Sequence, residues 1–303
     1  MERTHPWTRL GNRLDEPAAP DKALAAAGLD WAVDLVDIQY GAESKNAAGW
    51  AGVVRPDTGD LLGIVASQYR PLDNEQAFKP FVSAAAELGI DVHAAWERNG
   101  GRTAGMAAPV ETVALDNGEQ LDLWLEATTG HDGKHALAIR PVFLQLVCLN
   151  QLPPALQALA GASSVRAVHT LSVAEATNVG SELAQSIDLL AGGVADAANS
   201  FMATAVDSAS RAAALDKAAR CTGLTPRGRE TACEGVEREY NHSATMHSDA
   251  RGTAWGVLHA ATEYWTHTRP HRSPTSAWNA LNASRGDGKL FCNGLVRALH
   301  AMA

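Results

Sequence analysis

The chain has 303 residues, 46% of them hydrophobic, which is enough to bury one large core or two ordinary ones. Its net charge is −9, and the acidic excess falls within the first 160 residues. This balance excludes a generic nucleic-acid binder, because Lys and Arg supply most of the affinity for phosphates, so any DNA site must be a local groove. Residues 1–13 are too polar for a signal peptide and no apolar run could span a bilayer, so we expect a cytoplasmic protein without a membrane anchor.

The first half of the sequence predicts antiparallel strands. Apolar residues indicate one strand from Trp31 to Tyr40, and a Pro-Asp-Thr-Gly turn of type I joins two more, 49–55 and 60–67. Further strands are predicted around the glycine-containing turns 99–101 and 116–118 and on both sides of residues 128–134.

One helix interrupts these strands. Apolar residues repeat at helical spacing after Asp73, and Gly89 is expected to end the helix. Because an interior proline removes a backbone hydrogen bond, Pro80 predicts a kink or a start delayed to Lys79.

The stretch 121–152 predicts the central hairpin. Two alternating apolar runs flank the elbow Thr-Thr-Gly-His-Asp-Gly-Lys at 128–134, where Asp-Gly favours a tight turn. The apolar run Val142–Leu149 is expected to be buried, whether it is strand or helix. The sequence therefore predicts an α+β fold, with an N-terminal antiparallel sheet and one packed helix as a domain over residues 1–165.

The second half, 166–303, is predicted to be a mainly helical region. Alanine dominates from Ser172 to Leu215, with an interruption of the apolar spacing at Gly192-Gly193, which predicts a long helix or a helix pair, and Pro226 opens another helix. Residues 253–266 and the C-terminus predict two more helices. The small alanine side chains allow close helix approach, so this half is a candidate surface for subunit packing.

Several short motifs, in this order, resemble the phage/plasmid-like proteins grouped as domain of unknown function number 932. The resemblance covers nearly the whole chain, although each motif alone is short. The motifs are Trp7 with Leu10-Gly11, Asp57-Thr58-Gly59 with Gly63, Tyr69 and Asn74-Glu75, His131-Asp132-Gly133, Cys148-Leu149-Asn150, His169-Thr170, Gly252-Thr253-Ala254-Trp255, and Thr262-Glu263-Tyr264 with His267.

The predicted order of hairpin, helix and antiparallel strands is also similar to the fold of phage single-strand annealing proteins such as RecT, Redβ and Erf. That similarity implies single-stranded DNA binding and ATP-independent annealing in recombination, by a homo-oligomeric ring or filament. It rests on fold analogy, so the DNA-binding residues must be argued separately. No cofactor is expected.

Basic and aromatic residues near the predicted hairpin tips are the candidates for that DNA groove. Isolated arginines at such tips are more often solvated charges, and tryptophans in strands are more often core residues. The candidate DNA-binding residues are Arg98, Arg102, Lys134, Arg140, His131 and Trp124, with Trp96 as a further base-stacking candidate.

Two other classes of function stay open. A metal-dependent hydrolase or nuclease could use the His131-Asp132 elbow with His135 and His169, although a turn acceptor role for Asp132 is the plainer interpretation. Glu263 and His267 could pair or coordinate at helical spacing, but no metal ligand set is assigned, and the four separated cysteines are expected to be buried free thiols. The remaining class is a non-enzymatic structural or host-interaction protein of a mobile element.

Overall fold

The computed structural model describes residue 7 and residues 11–161, 165–167, 182, 187–270 and 286–302. The fold is α+β, as predicted, with antiparallel sheets in the first half and helices mostly in the second. The strands form two separate sheets, whereas the sequence predicted one.

The first sheet has three antiparallel strands in the order β1-β2-β3. They are β1 (Asp34–Tyr40), β2 (Lys45–Arg55) and β3 (Asp60–Ala66). Its inner face packs a small cluster that includes Trp31, Val53 and Val65. The opposite face carries no helix or strand among the described elements, so one side of this sheet meets solvent.

The second sheet has five antiparallel strands in sequence order. Both faces are covered, because Leu125 and Ala127 contact the helical side while Trp124 and Val142 lie in a cluster with Trp7 on the other side. The strands are β4 (Ala94–Arg98), β5 (Thr103–Ala114), β6 (Gln120–Gly130), β7 (Leu137–Gln145) and β8 (Val165–Ala167).

Helix α2 (Asn74–Leu88) packs on the five-stranded sheet, close to the short helix α1 (Ala23–Ala26). It begins at Asn74 and continues through Pro80, so the alternative of a start delayed to Lys79 is wrong. The burial of Phe78 and Phe81 against the sheet offsets the backbone hydrogen bond that proline cannot make. Gly89 ends the helix with φ of +68°, as predicted.

The apolar run after β7 is only partly buried. The chain reverses after Gln145, whose N–H donates to the carbonyl of Asn150 and whose carbonyl accepts from Leu149 N–H. Leu146 and Val147 lie at the outside of this reversal and are exposed, so the prediction that the whole run is buried is wrong. The strand ends at Gln145, and an apolar run that continues past this residue does not reveal where the strand ends.

Helices make up most of the described residues after 166. Of the two predicted alternatives, a long helix or a helix pair, the structure has no break at Gly192-Gly193, and Gly193 lets the helix approach Ala160, whose carbonyl oxygen would lie 3.0 Å from an added Cβ. The short helix α3 (Pro154–Leu159) precedes this half, and the helices that follow are α4 (Ile187–Ala203), α5 (Ser208–Arg220), α6 (Pro226–His242), α7 (Ala254–Glu263), a π-helical continuation (Tyr264–Thr268) and α8 (Gly286–His300).

Helix α7 is buried on every side and lies at the centre of the helical half. The hydrophobic cluster that contains α7 also includes Leu121, Leu123 and Phe143 of the five-stranded sheet, so sheet and helices share one hydrophobic core. Among the described helices, none has the length and apolar character that crossing a bilayer requires.

Candidate functional site

The elbow after β6 packs against the inner side of β3 and so joins the two sheets. A Cβ added at Gly63 would come within 2.6 Å of the Asp132 backbone, and one added at Gly133 within 2.6 Å of Val65 Cγ1. Neither position has room for a Cβ, so both require glycine. Gly133 also has a positive φ, which favours glycine for a second reason.

His131 is fully buried beneath this elbow. Its Nε2 lies 2.9 Å from Asn74 Oδ1, and its ring meets Trp31 edge-on at 5.1 Å between centroids. Asn74 in turn donates to the carbonyl of Leu29. This arrangement fixes the start of α2 to the elbow, and it gives His131 a packing role rather than contact with a ligand in solvent.

Asp132 organises the turn itself. Its Oδ1 accepts the backbone N–H groups of Lys134 and His135, and its Oδ2 lies 2.8 Å from His135 Nδ1. Burial tends to raise the pKa of Asp132, but these hydrogen bonds outweigh burial and hold that pKa below its ordinary value. The turn-acceptor interpretation is confirmed. His169 lies outside the described residues.

Three of the candidate cations lie at one end of the molecule. Arg98 pairs across the β4-β5 hairpin with Thr103, and Thr103 pairs with Gly130 at the start of the elbow. Arg102 is exposed, with Nη2 3.4 Å from the carbonyl oxygen of Leu61 on β3, and Lys134 is exposed on the elbow. Arg98 is half-buried, and burial lowers its pKa.

Arg140 is separated from this group. Its Nε donates to Glu126 Oε2 at 2.6 Å, and Trp7 Nε1 donates to Glu126 Oε1 at 3.2 Å. The carboxylate of Glu126 is almost fully buried, so this is a largely desolvated ion pair inside the sheet. Arg140 therefore neutralises the buried carboxylate of Glu126.

The two tryptophans singled out from the sequence belong to the core. Trp124 packs against Trp7 with 4.4 Å between ring centroids and an angle of 35° between the ring planes, and Trp96 packs over Gly105 in the same cluster. Their faces are covered by other side chains, so neither ring offers an open stacking surface.

Sequence reasoning missed the exposed side of the three-stranded sheet. Trp50 is 56% exposed, and Tyr40 at the end of β1 is 59% exposed. We call this side the open face and define it by Val36, Ile38, Trp50, Leu61 and Ile64. Val36, Leu61 and Ile38 lie over Gly52, whose missing side chain leaves them room, and Ile64 pairs directly with Gly52. The signal in the sequence was an alternation with apolar residues on both faces of β1 to β3.

A second missed cluster is buried between the β7 turn and α7. Cys148, His259 and Glu263 are at most 3% exposed, and the Sγ, a ring nitrogen and a carboxylate oxygen all lie within 4.8 Å of one another. The available signal was the helical i, i+4 spacing of His259 and Glu263. Of the cysteines, Cys148 and Cys292 are buried free thiols as expected, whereas Cys221 is exposed and Cys233 half-buried.

A groove of about 730 Å³ lies between α5 and α6. Its lining contains four carboxylates and two guanidinium groups, and this negative balance disfavours a phosphate ligand there. Burial, followed by the nearby acidic side chains, raises the pKa of Cys233 in its wall. The groove residues are Ala212, Leu215, Asp216, Ala219, Arg220, Pro226, Arg229, Glu230, Cys233, Glu234 and Glu237.

These elements define an α+β protein with one open sheet face and a helical half built around α7. The chain belongs to the family described as Domain of unknown function (DUF932), whose model matches residues 61–285. That range includes all of β3 except its first residue, together with the elbow, the Cys148 turn and α7. Comparisons with curated proteins and with solved structures gave no match.

Proposed function

We propose that this protein binds single-stranded DNA across the open face and anneals complementary strands without ATP. The observation that carries the proposal is an exposed tryptophan on a sheet whose outer strand β3 lies beside two exposed cations, Arg102 and Lys134. Exposed aromatic rings beside positive charge are the two elements that sequence-tolerant single-strand binding requires.

Base stacking is the first contribution. Trp50 presents its ring on the open face, and Tyr40 offers a second exposed ring on the same sheet. Stacking on an aromatic side chain contributes about 1–3 kcal/mol per base and tolerates any base, because every base has a π face. Stacking uses base faces and leaves the Watson–Crick edges available for a complementary strand.

Phosphate contact is the second contribution. Arg102 Nη2 lies 3.4 Å from the carbonyl oxygen of Leu61, and Lys134 follows Gly133, which packs against Val65 on the inner side of the same strand, so both cations lie beside β3. Arg98 at the neighbouring hairpin end is a further candidate. Arg140 and Trp124 are left out of this site, because Glu126 engages the first and Trp7 covers the second.

The biological setting follows from resemblance. Similarity to phage/plasmid-like proteins and to RecT, Redβ and Erf suggests a recombination role, with homo-oligomeric rings or filaments that hold the strand. The acidic first half counts against general affinity for DNA, so the proposed site is a local one that depends on the cations beside β3.

Fluorescence anisotropy with labelled single-stranded and duplex oligonucleotides, at low and moderate salt, tests this function. We expect salt-sensitive binding that prefers single strands, a large oligomeric complex on sizing, and faster annealing of complementary strands. Absence of binding at low salt would reject the proposal in favour of a non-enzymatic interaction protein.

A further inference from the structure

We propose that Cys148, His259 and Glu263 form a structural zinc site that connects the end of the five-stranded sheet to α7. The three residues supply sulfur, nitrogen and oxygen, the donor types that Zn²⁺ takes in proteins. Cys148 comes from the turn after β7, whereas His259 and Glu263 come from one face of α7. A bound ion would therefore join two separate parts of the fold.

The distances suit one small ion. The three donor atoms lie within 4.8 Å of one another. Tetrahedral zinc with bonds of about 2.0–2.3 Å sets its ligands roughly 3.3–3.8 Å apart, so closure by about 1 Å completes the geometry. Side chains four residues apart on a helix lie one turn apart and can reach the same ion.

Neighbouring polar groups orient these ligands. Thr245 Oγ1 lies 3.3 Å from His259 Nε2, and a hydrogen bond at that nitrogen would leave Nδ1 to bind the ion. The carboxamide of Gln145 contacts two of the three ligand residues, with Nε2 3.1 Å from His259 Nδ1 and Oε1 3.4 Å from Cys148 Sγ. After rotation of that carboxamide, its oxygen is available as the fourth ligand.

Two further features accompany the cluster. The chain turns π-helical directly after Glu263, a distortion that is frequent at functional sites. Two residues from Cys148, the carboxamide of Asn150 is fully buried, and neither of its polar atoms has a hydrogen-bond partner within the described part of the chain. Buried polar groups of this kind call for a water molecule or an ion nearby.

Charge and burial indicate a structural role. A divalent cation would neutralise a thiolate and a carboxylate held in the same dry volume, where isolated charges are costly. All three ligands are at most 3% exposed, which leaves a substrate no access to the ion. The site is therefore separate from the open face proposed for DNA.

Metal analysis of the full-length protein, prepared without a polyhistidine tag, tests the site. We expect roughly one equivalent of zinc per chain, and replacement by Co²⁺ should give a thiolate-to-cobalt charge-transfer band. Removal of zinc with a chelator should lower Tm by about 5 °C or more, and added zinc should restore it. Less than about a tenth of an equivalent, both as isolated and after Zn²⁺ addition, would overturn the proposal.

Variants assign the ligands. Cys148→Ser should lose the charge-transfer band, whereas Cys221→Ser, which changes an exposed thiol, should keep it. Gln145→Ala should weaken zinc affinity about 10–100-fold. Retention of the cobalt band in Cys148→Ser would contradict the assignment. The wild-type metal content decides the question even if Cys148→Ser fails to fold, and it is independent of DNA binding.

Discussion

The two sheets of this protein differ in how many of their faces are buried. The five-stranded sheet is covered on both faces, and its charged pair, Glu126 with Arg140, lies inside the fold. The three-stranded sheet buries only one face and leaves Trp50 and Ile64 on the other in contact with solvent. The same residue type, a tryptophan on a strand, therefore stabilises the fold in one sheet and is exposed to solvent in the other.

This difference separates stability from ligand binding. Changes in the covered sheet should act on the free energy of unfolding, because they leave buried groups without partners. Changes on the open face should act on DNA affinity with little effect on folding, because solvent already reaches those side chains.

The largest effect is expected for Glu126→Ala. This change leaves the Arg140 guanidinium in a largely buried position without its counter-charge and removes the acceptor of Trp7 Nε1. Breaking a buried pair costs about 3–5 kcal/mol, which urea unfolding would measure. The double variant E126Q with R140M, which removes both charges, should recover much of the loss. A loss below about 1 kcal/mol for Glu126→Ala would mean that the pair is effectively solvated.

Gly63→Ala tests the contact between the two sheets. Its added Cβ would lie 2.6 Å from the Asp132 backbone, so the elbow must move away from β3. We expect a loss of about 1–3 kcal/mol in the free energy of unfolding. Gly192→Ala is the matched control, because its added Cβ meets nothing within 4 Å and a helical alanine should be neutral or stabilising. Equal stability of the two variants would contradict the described packing of the elbow.

Trp50→Ala tests the open face. It should weaken single-strand affinity by about 1–3 kcal/mol in an anisotropy titration while the urea midpoint stays nearly constant. Trp50→Phe keeps an aromatic face and should retain most of the affinity. Leu159→Ala, an exposed apolar residue elsewhere, serves as the control and should bind as the wild type does. Unchanged affinity of Trp50→Ala would remove Trp50 from the site.

Asp132→Asn tests the electrostatics of the elbow. The folded-state pKa of Asp132 lies below its ordinary value of 3.8, so the stabilisation by the carboxylate is present above that value. It is lost as the pH falls through the lower folded-state pKa. We expect Asp132→Asn to lose about 1 kcal/mol at pH 7, and the difference from wild type to disappear in strong acid. A difference that stays constant from pH 7 to pH 2 would contradict a carboxylate-specific role.

The smallest effect is expected for single cations beside β3. Lys134→Ala should lower the magnitude of the slope of log affinity against log salt by about 1, with no change in sequence preference. Lys217→Ala, on α5, is the charge-matched control and should leave the slope as it is. An unchanged slope for Lys134→Ala would place the phosphates elsewhere.

Local patterns in the sequence were sufficient for much of the fold. The Asp57-Thr58-Gly59 turn, the Gly89 helix end and the helix from Thr253 predict elements that the structure contains. Division into two sheets was not predictable, because pairing between distant strands depends on contacts such as Gly63 with Asp132 that no local pattern shows. The continuous helix through Gly192 and Gly193 depends in the same way on its neighbour Ala160.

The candidate sites were harder to predict for the same reason. Spacing alone could not show that Arg140 meets Glu126 or that Trp124 meets Trp7, since these partners lie 14 and more than a hundred residues away in the chain. Nor could it show that Cys148 meets His259 across the core. Exposure decides whether a tryptophan is a core or a binding residue, and exposure is a property of the folded chain.

Photo-crosslinking of a single-stranded oligonucleotide that carries bromodeoxyuridine, followed by peptide mass spectrometry, tests the central claim most directly. The open face as the DNA site predicts cross-links in the peptides that contain Trp50 and Tyr40, and their loss in Trp50→Ala and Tyr40→Ala. Cross-links confined to the helical half, with those peptides unmodified, would contradict it.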